Sequence, residues 1–175
     1  MGVTSAGVDW AGLEAAVPVD ALVALDTSTL LAYLSGGEAA SQAAAWLADP
    51  RIGTGRNPAV ISSLTVAELL VRPFRAGSAA VSTAEGFLRF FAEILIADVT
   101  YAVAREAARI RAVTGLGMPD ALVLATAVEH AAAVLATNDG RWVAAADTAG
   151  LPVRIVRLGA FAPTAPAPRS ARAAG

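Results

Sequence analysis

The chain has 175 residues, 56% of them hydrophobic and 16% charged, enough to bury one sizeable core and short for two domains. It contains no Cys, which excludes disulfides and thiolate metal sites, and all 13 of its basic residues are Arg. A formal charge of −2 and a pI near 5.3 give no global attraction to nucleic acid, so a polyanion would have to be met by a local Arg patch.

Residues 1–19 carry weak hydrophobic periodicity, no basic opening run and acids at Asp9 and Glu14, so a poorly ordered extension is expected there, and not a secretory signal. The folded unit is expected over residues 20–160. Short apolar runs predict strands at Ala21–Leu25, Ala59–Ile61, Ile94–Ala97, Ala133–Ala136 and Val153–Val156. Helical spacing covers Glu38–Ala48, with Trp46 and Leu47 on the apolar side, and Ser63–Val71, stopped by Pro73. Ser82–Phe91 turns Phe87, Leu88, Phe90 and Phe91 toward a core, and Tyr101–Val113 runs to the breakers Gly115 and Gly117. Pro119, its φ preset for a first turn, opens a helix to about Ala132. Residues 161–175, ending APTAPAPRSARAAG, are Pro/Ala-rich and are expected to be a disordered tail.

Strands too apolar to leave one face wet, alternating with helices, predict an α/β fold with a parallel sheet covered on both sides. The longest apolar stretch, Ala121–Thr137, is interrupted by Glu129 and His130 and falls short of the roughly 20 apolar residues that span a bilayer. A cytoplasmic protein without membrane contact is expected.

Acidic residues sit where apolar runs stop. Asp26 closes the first strand, Asp139 follows Ala133–Ala136, and Asp120 opens an apolar helix. Ligands of open parallel sheets gather at the carboxyl ends of the strands, where Asp26 and Asp139 should meet. Glu68 lies among Val66, Ala67, Leu69, Leu70 and Val71, so partial burial of its carboxylate is expected. Were these four acids to converge, each pair at about 4 Å would repel by about 4 kcal/mol at an effective dielectric near 20, and cations or shared protons would have to relieve it. Oxygen-only donors favour Mg²⁺ or Mn²⁺, ions that activate water for attack on phosphorus, so phosphodiester hydrolysis is the implied chemistry. Plain structural roles stay open to each acid: Asp26 as a helix cap, Asp120 as a partner of the helix dipole, Asn138-Asp139-Gly140 as a turn, Glu68 as a solvated side chain.

Taken in order, LDTSTLLAYL, ISSLTVAELL, MPDALVLATA and LATNDGRW resemble the four acidic motifs of PIN domains, VapC-like toxins in particular, over residues 22–158. The resemblance implies a three-layer α/β/α sandwich with a central, mainly parallel sheet. It also implies an endoribonuclease dependent on one or two Mg²⁺ or Mn²⁺ ions, a homodimer, and a cognate antitoxin that blocks the site. Asp26, Glu68, Asp120 and Asp139 match the family's acidic positions. Ser28 and Thr137 match polar residues that support the acids by hydrogen bonds, while Asn138 would contact metal-bound water or shape the turn.

Arg72 and Arg75, one to two turns past Glu68, and Arg141, two residues past Asp139, could meet RNA phosphates, or pair with acids, or face solvent. Arg105, Arg109 and Arg111 mark an outer helix face. His130 stands about 15 Å along the helix axis from Asp120, which fits packing better than ligation. The spacing of Trp46, Trp142 and the Phe87/Phe90/Phe91 group fits core or dimer packing better than base stacking. Two rivals remain: a PIN-like RNA- or protein-binding module without catalysis, and a metal-dependent phosphatase of small esters.

Overall fold

The computed structural model describes residues 8–35, 39–90 and 94–161. Five strands, β1 (Val23–Leu25), β2 (Ala59–Ser62), β3 (Ile94–Ala97), β4 (Val134–Thr137) and β5 (Arg154–Arg157), form one sheet in the order β3-β2-β1-β4-β5, every pair parallel. The helices are α1 (Trp10–Ala16), α2 (Thr27–Ser35), α3 (Ala39–Leu47), α4 (Ser63–Ala76), α5 (Ser78–Phe90), α6 (Tyr101–Thr114), α7 (Met118–Glu129) and α8 (Arg141–Ala149). A π-helical turn, Ala48–Ile52, follows α3, and a 3-10 turn, Leu158–Phe161, follows β5. The predicted α/β fold, with its parallel sheet between two helical layers, is the one observed.

Each strand supplies both layers because side chains alternate along it. Val23, Leu25, Ala59, Ile61, Val134, Ala136 and Val156 face one core with α1, α2 and α3. Ala24, Val60, Leu135 and Ile155 face the other, which holds Trp142 of α8 and the buried sides of α6 and α7. Helix α7 is buried around most of its surface, through Ala121, Val123, Leu124, Ala125, Thr126 and Ala127, because α6 covers the side turned away from the sheet.

Three expectations change. The first crossover contains two helices, since TSTLLAYLS forms α2 ahead of the expected α3. Pro73 does not stop α4: it removes one N–H, but the helix runs on to Ala76 and closes with the Gly77 N–H donating to the Pro73 carbonyl at 3.0 Å. Helix α5 starts at Ser78, four residues early; Phe87 and Leu88 pack on the core as expected, while the side chain of Phe90 and all of Phe91 lie outside the described residues.

The opening segment also packs, against expectation. Asp9 caps α1 by accepting from the Gly12 N–H at 3.0 Å, and Val8, Leu13 and Val17 are buried in the first core, the latter two at 0% exposure. Arg51 binds this segment to the rest. Its side chain is 1% exposed, donates from Nε to Asn57 Oδ1 at 2.7 Å and from Nη2 to the Val17 carbonyl at 2.5 Å, and lies 5.0 Å from the Trp46 ring centroid. Residues 1–7 and 162–175, which include nearly all of the expected tail, lie outside the described residues.

Leu13→Ala is expected to lower stability by about 2–5 kcal/mol in urea unfolding, the usual range for emptying a buried leucine site. Trp10→Ala, on the outer side of α1 at 44% exposure, should cost less. Equal effects would mean that α1 does not pack as described.

Candidate active site

All five strands point the same way, so their carboxyl ends share one edge, and the acids collect there. Leu25 of β1 stands opposite Ala136 of β4, which brings Asp26 beside Thr137 on the side facing α7. Asp26 is 7% exposed and one of its oxygens, Oδ2, accepts from Ser28 Oγ at 2.6 Å and from Thr137 Oγ1 at 2.8 Å. Those hydroxyls are themselves held: Ser28 Oγ accepts the Asn138 N–H at 2.9 Å, and Thr137 Oγ1 accepts the Asp139 N–H at 3.0 Å. The carboxylate is thus aimed by its neighbours, and its Oδ1 accepts no hydrogen bond among the described residues.

Asp120 reaches the same edge from the first turn of α7, and Asp139 from the loop after β4. Between them lies Arg141, the first residue of α8. Its Nη2 is 2.5 Å from Asp139 Oδ2 and 3.5 Å from Asp120 Oδ2, and its Nε donates to Asp139 at 3.0 Å. These contacts hold the Asp139 carboxyl below the usual carboxylate range, and the Trp142 indole N–H adds a weaker pull from outside normal hydrogen-bond geometry. Asp120 moves the other way. Burial pushes its carboxyl up, Arg141 opposes that, and the negative charges of Asp139, Asp26 and Glu68 push it further.

Glu68 is exposed, which corrects the expectation of partial burial. The phase of α4 turns Thr65 and Leu69 inward and leaves Ala67, Glu68, Val71 and Arg72 outside, so apolar neighbours in the sequence do not become a cover. Its carboxylate accepts from Thr27 Oγ1, which ties α4 to the start of α2. Thr27 is the residue the sequence reading missed as a support; its only signal was its place next to Asp26.

The four acids therefore come to one edge, but among the described residues no three stand together as a group able to hold a metal ion. Asn138 is engaged in the loop itself, accepting the Gly159 N–H at 3.1 Å and reaching the Ser28 carbonyl at 3.4 Å. Arg72 and Arg75 are exposed on α4, one and two turns past Glu68. His130 caps the far end of α7, and Trp142 is 1% exposed, hence core. In donor type the acids suit a hard divalent cation. What departs from a ready site is that Arg141 supplies positive charge between two of them.

Because the Asp120 carboxyl is raised, its ionised form works against folding above the ordinary carboxylate range, and that penalty disappears as the pH falls through the range. Asp120→Asn is therefore expected to raise Tm at pH 7 in metal-free buffer and to lose the advantage in acid. Thermal denaturation from pH 4 to 8 measures this; a Tm below wild type at pH 7 that recovers in acid would contradict the sign.

No curated protein matches the chain in sequence. Solved structures do match in fold. FitAcB from Neisseria gonorrhoeae gives a TM-score of 0.59 at 24% identity, covering 78% of this chain and 97% of that one. VapBC2 from Rickettsia felis, bound to a DNA fragment from its promoter, gives 0.57 at 17% identity over 77% and 97%. VapC20 from Mycobacterium tuberculosis, described as a sarcin-ricin loop cleaving toxin, gives 0.55 at 23% identity over 75% and 98%. The family described as PIN domain matches residues 23–148, a span that contains all four acids and every strand but the last, and the chain belongs to it.

Proposed function

We propose that this chain is an endoribonuclease that hydrolyses RNA phosphodiester bonds with one or two Mg²⁺ or Mn²⁺ ions, and that it acts as the toxin of a toxin-antitoxin pair. The observation that carries the reading is the Asp26 carboxylate oriented by two hydroxyls at the sheet edge, close enough to Asp120 that its charge, with those of Asp139 and Glu68, bears on that carboxyl. The toxin role is supported by the fold neighbours, which include toxin-antitoxin complexes. A cognate antitoxin over the acidic edge, a homodimer and a cytoplasmic location belong to the same proposal. Among the described residues no helix is long and apolar enough to cross a membrane.

Asp26, Glu68, Asp120 and Asp139 would hold the ions, which when bound lower the pKa of water and offset the charge of the attacked phosphate. The chain's own part is positioning. Ser28 and Thr137 fix one oxygen of Asp26 and leave the other free to bind. Thr27 steadies Glu68 on an exposed helix face. Four carboxylates against one guanidinium would repel an RNA strand, which is why the reading requires cations. Arg72 and Arg75, exposed on α4 and free of ion pairs among the described residues, would meet flanking phosphates.

The test is cleavage of a structured RNA pool by antitoxin-free protein in Mg²⁺, Mn²⁺ or EDTA. Cleavage should need the metal and vanish in Asp26→Asn and Asp120→Asn. Wild type and variants behaving alike would sink the assignment and favour a binding module, whereas turnover of nucleotide esters but not RNA would favour a phosphatase. Thr137→Val, which keeps the shape and removes the hydroxyl, should lose about 10–100-fold in kcat/KM or metal affinity with its circular dichroism unchanged.

A further inference from the structure

Arg141 carries two features that do not belong together in an ordinary surface arginine. Its guanidinium makes close contacts to two acids from different segments, Asp139 at 2.5 Å and Asp120 at 3.5 Å, yet its side chain is 68% exposed. With most of the side chain open to solvent, its polar contacts among the described residues are with charge. Arg141 also lines an open cavity of about 310 Å³, bounded by Gly115, Leu116, Gly117, Ala144 and Thr148. Gly115, on the cavity wall, ends α6 at φ +71 in a left-handed turn. The side chain thus has somewhere to go.

A divalent ion and a guanidinium make opposite demands on the same oxygens. Mg²⁺ binds carboxylate oxygens at about 2.0–2.1 Å and keeps an ordered water shell. An ion so placed on Asp120 or Asp139 would stand within a few ångströms of the cationic Nη2 of Arg141, with like charges facing each other across Asp120 Oδ2 and the Asp139 carboxylate. The two compete for the same carboxylates.

We propose that Arg141 is a built-in counter-ion: it occupies the cation position of the acidic edge in the metal-free protein, and a divalent ion must turn it out toward the α8 cavity in order to bind. This rests on the metal reading above and goes beyond it, since it gives the chain a threshold for loading. Without metal, Arg141 offsets part of the negative charge of Asp120 and Asp139. With metal, a freed guanidinium stands at the mouth of the site.

The first measurement is Mn²⁺ titration by calorimetry on the full chain. If Arg141 occupies the position about nine-tenths of the time, Arg141→Gln should bind Mn²⁺ about tenfold more tightly, because the competing state is gone. Arg141→Lys, which keeps a positive charge, should stay nearer wild type. An arginine that merely organised the acids would make Arg141→Gln bind more weakly, and equal or weaker binding overturns the proposal while leaving the metal reading intact. No Mn²⁺ binding by any form sinks both. A second measurement needs no variant: on adding Mg²⁺ to wild type, the Arg141 Nε–H resonance should move toward that of a free arginine and exchange faster with water. An unchanged resonance at saturating Mg²⁺ overturns the proposal independently.

Discussion

The parallel pairing of β1 with β4 is the constraint on which the rest depends. Both strands lie in the middle of the sheet and are covered on both faces, so an unpaired charge within them would be costly. Charge is admitted only past the last ladder position, and because the strands are parallel that point is the same edge for all of them. The Leu25–Ala136 register then decides which residues meet: Asp26 next to Thr137, close enough for a direct hydrogen bond. A shift by one residue would turn both toward opposite layers.

Around that pair the site is built from segments far apart in the chain, and its stability is a balance of opposed charges. Burial and three other acids disfavour the Asp120 carboxylate, while Arg141 favours it and Asp139. Such a cluster is poor for stability, a cost that functional sites commonly carry. The surrounding layers tolerate it because the hydroxyls of Ser28, Thr27 and Thr137 each meet a carboxylate.

The opening helix shows the same principle in the scaffold. A buried arginine is expensive unless its donors are met, and Arg51 has two of its nitrogens matched by Asn57 Oδ1 and the Val17 carbonyl, with an aromatic face beside it. Asn57 in turn donates to the Pro18 and Ala21 carbonyls, both at 2.8 Å. This network binds residues 17–21 to the turn before β2, so α1 completes the first layer.

The sequence by itself determined the strands, the parallel α/β class and the acids at their ends, because these follow from local periodicity and from where an apolar run stops. Ile94–Ala97 was legible to the residue, and Asp26 and Asp139 were placed by the same rule. The ordered set of four motifs was likewise visible as a likeness. What only the tertiary structure decided was the facing of individual side chains: Glu68 outward on α4, Leu13 and Val17 inward from a segment of weak pattern, Thr27 onto a carboxylate 41 residues away. Arg141 bridging Asp120 belongs to the same class, since it joins residues 21 apart through space. Helix phase and the packing of one element on another set these directions, and no local run of residues encodes either.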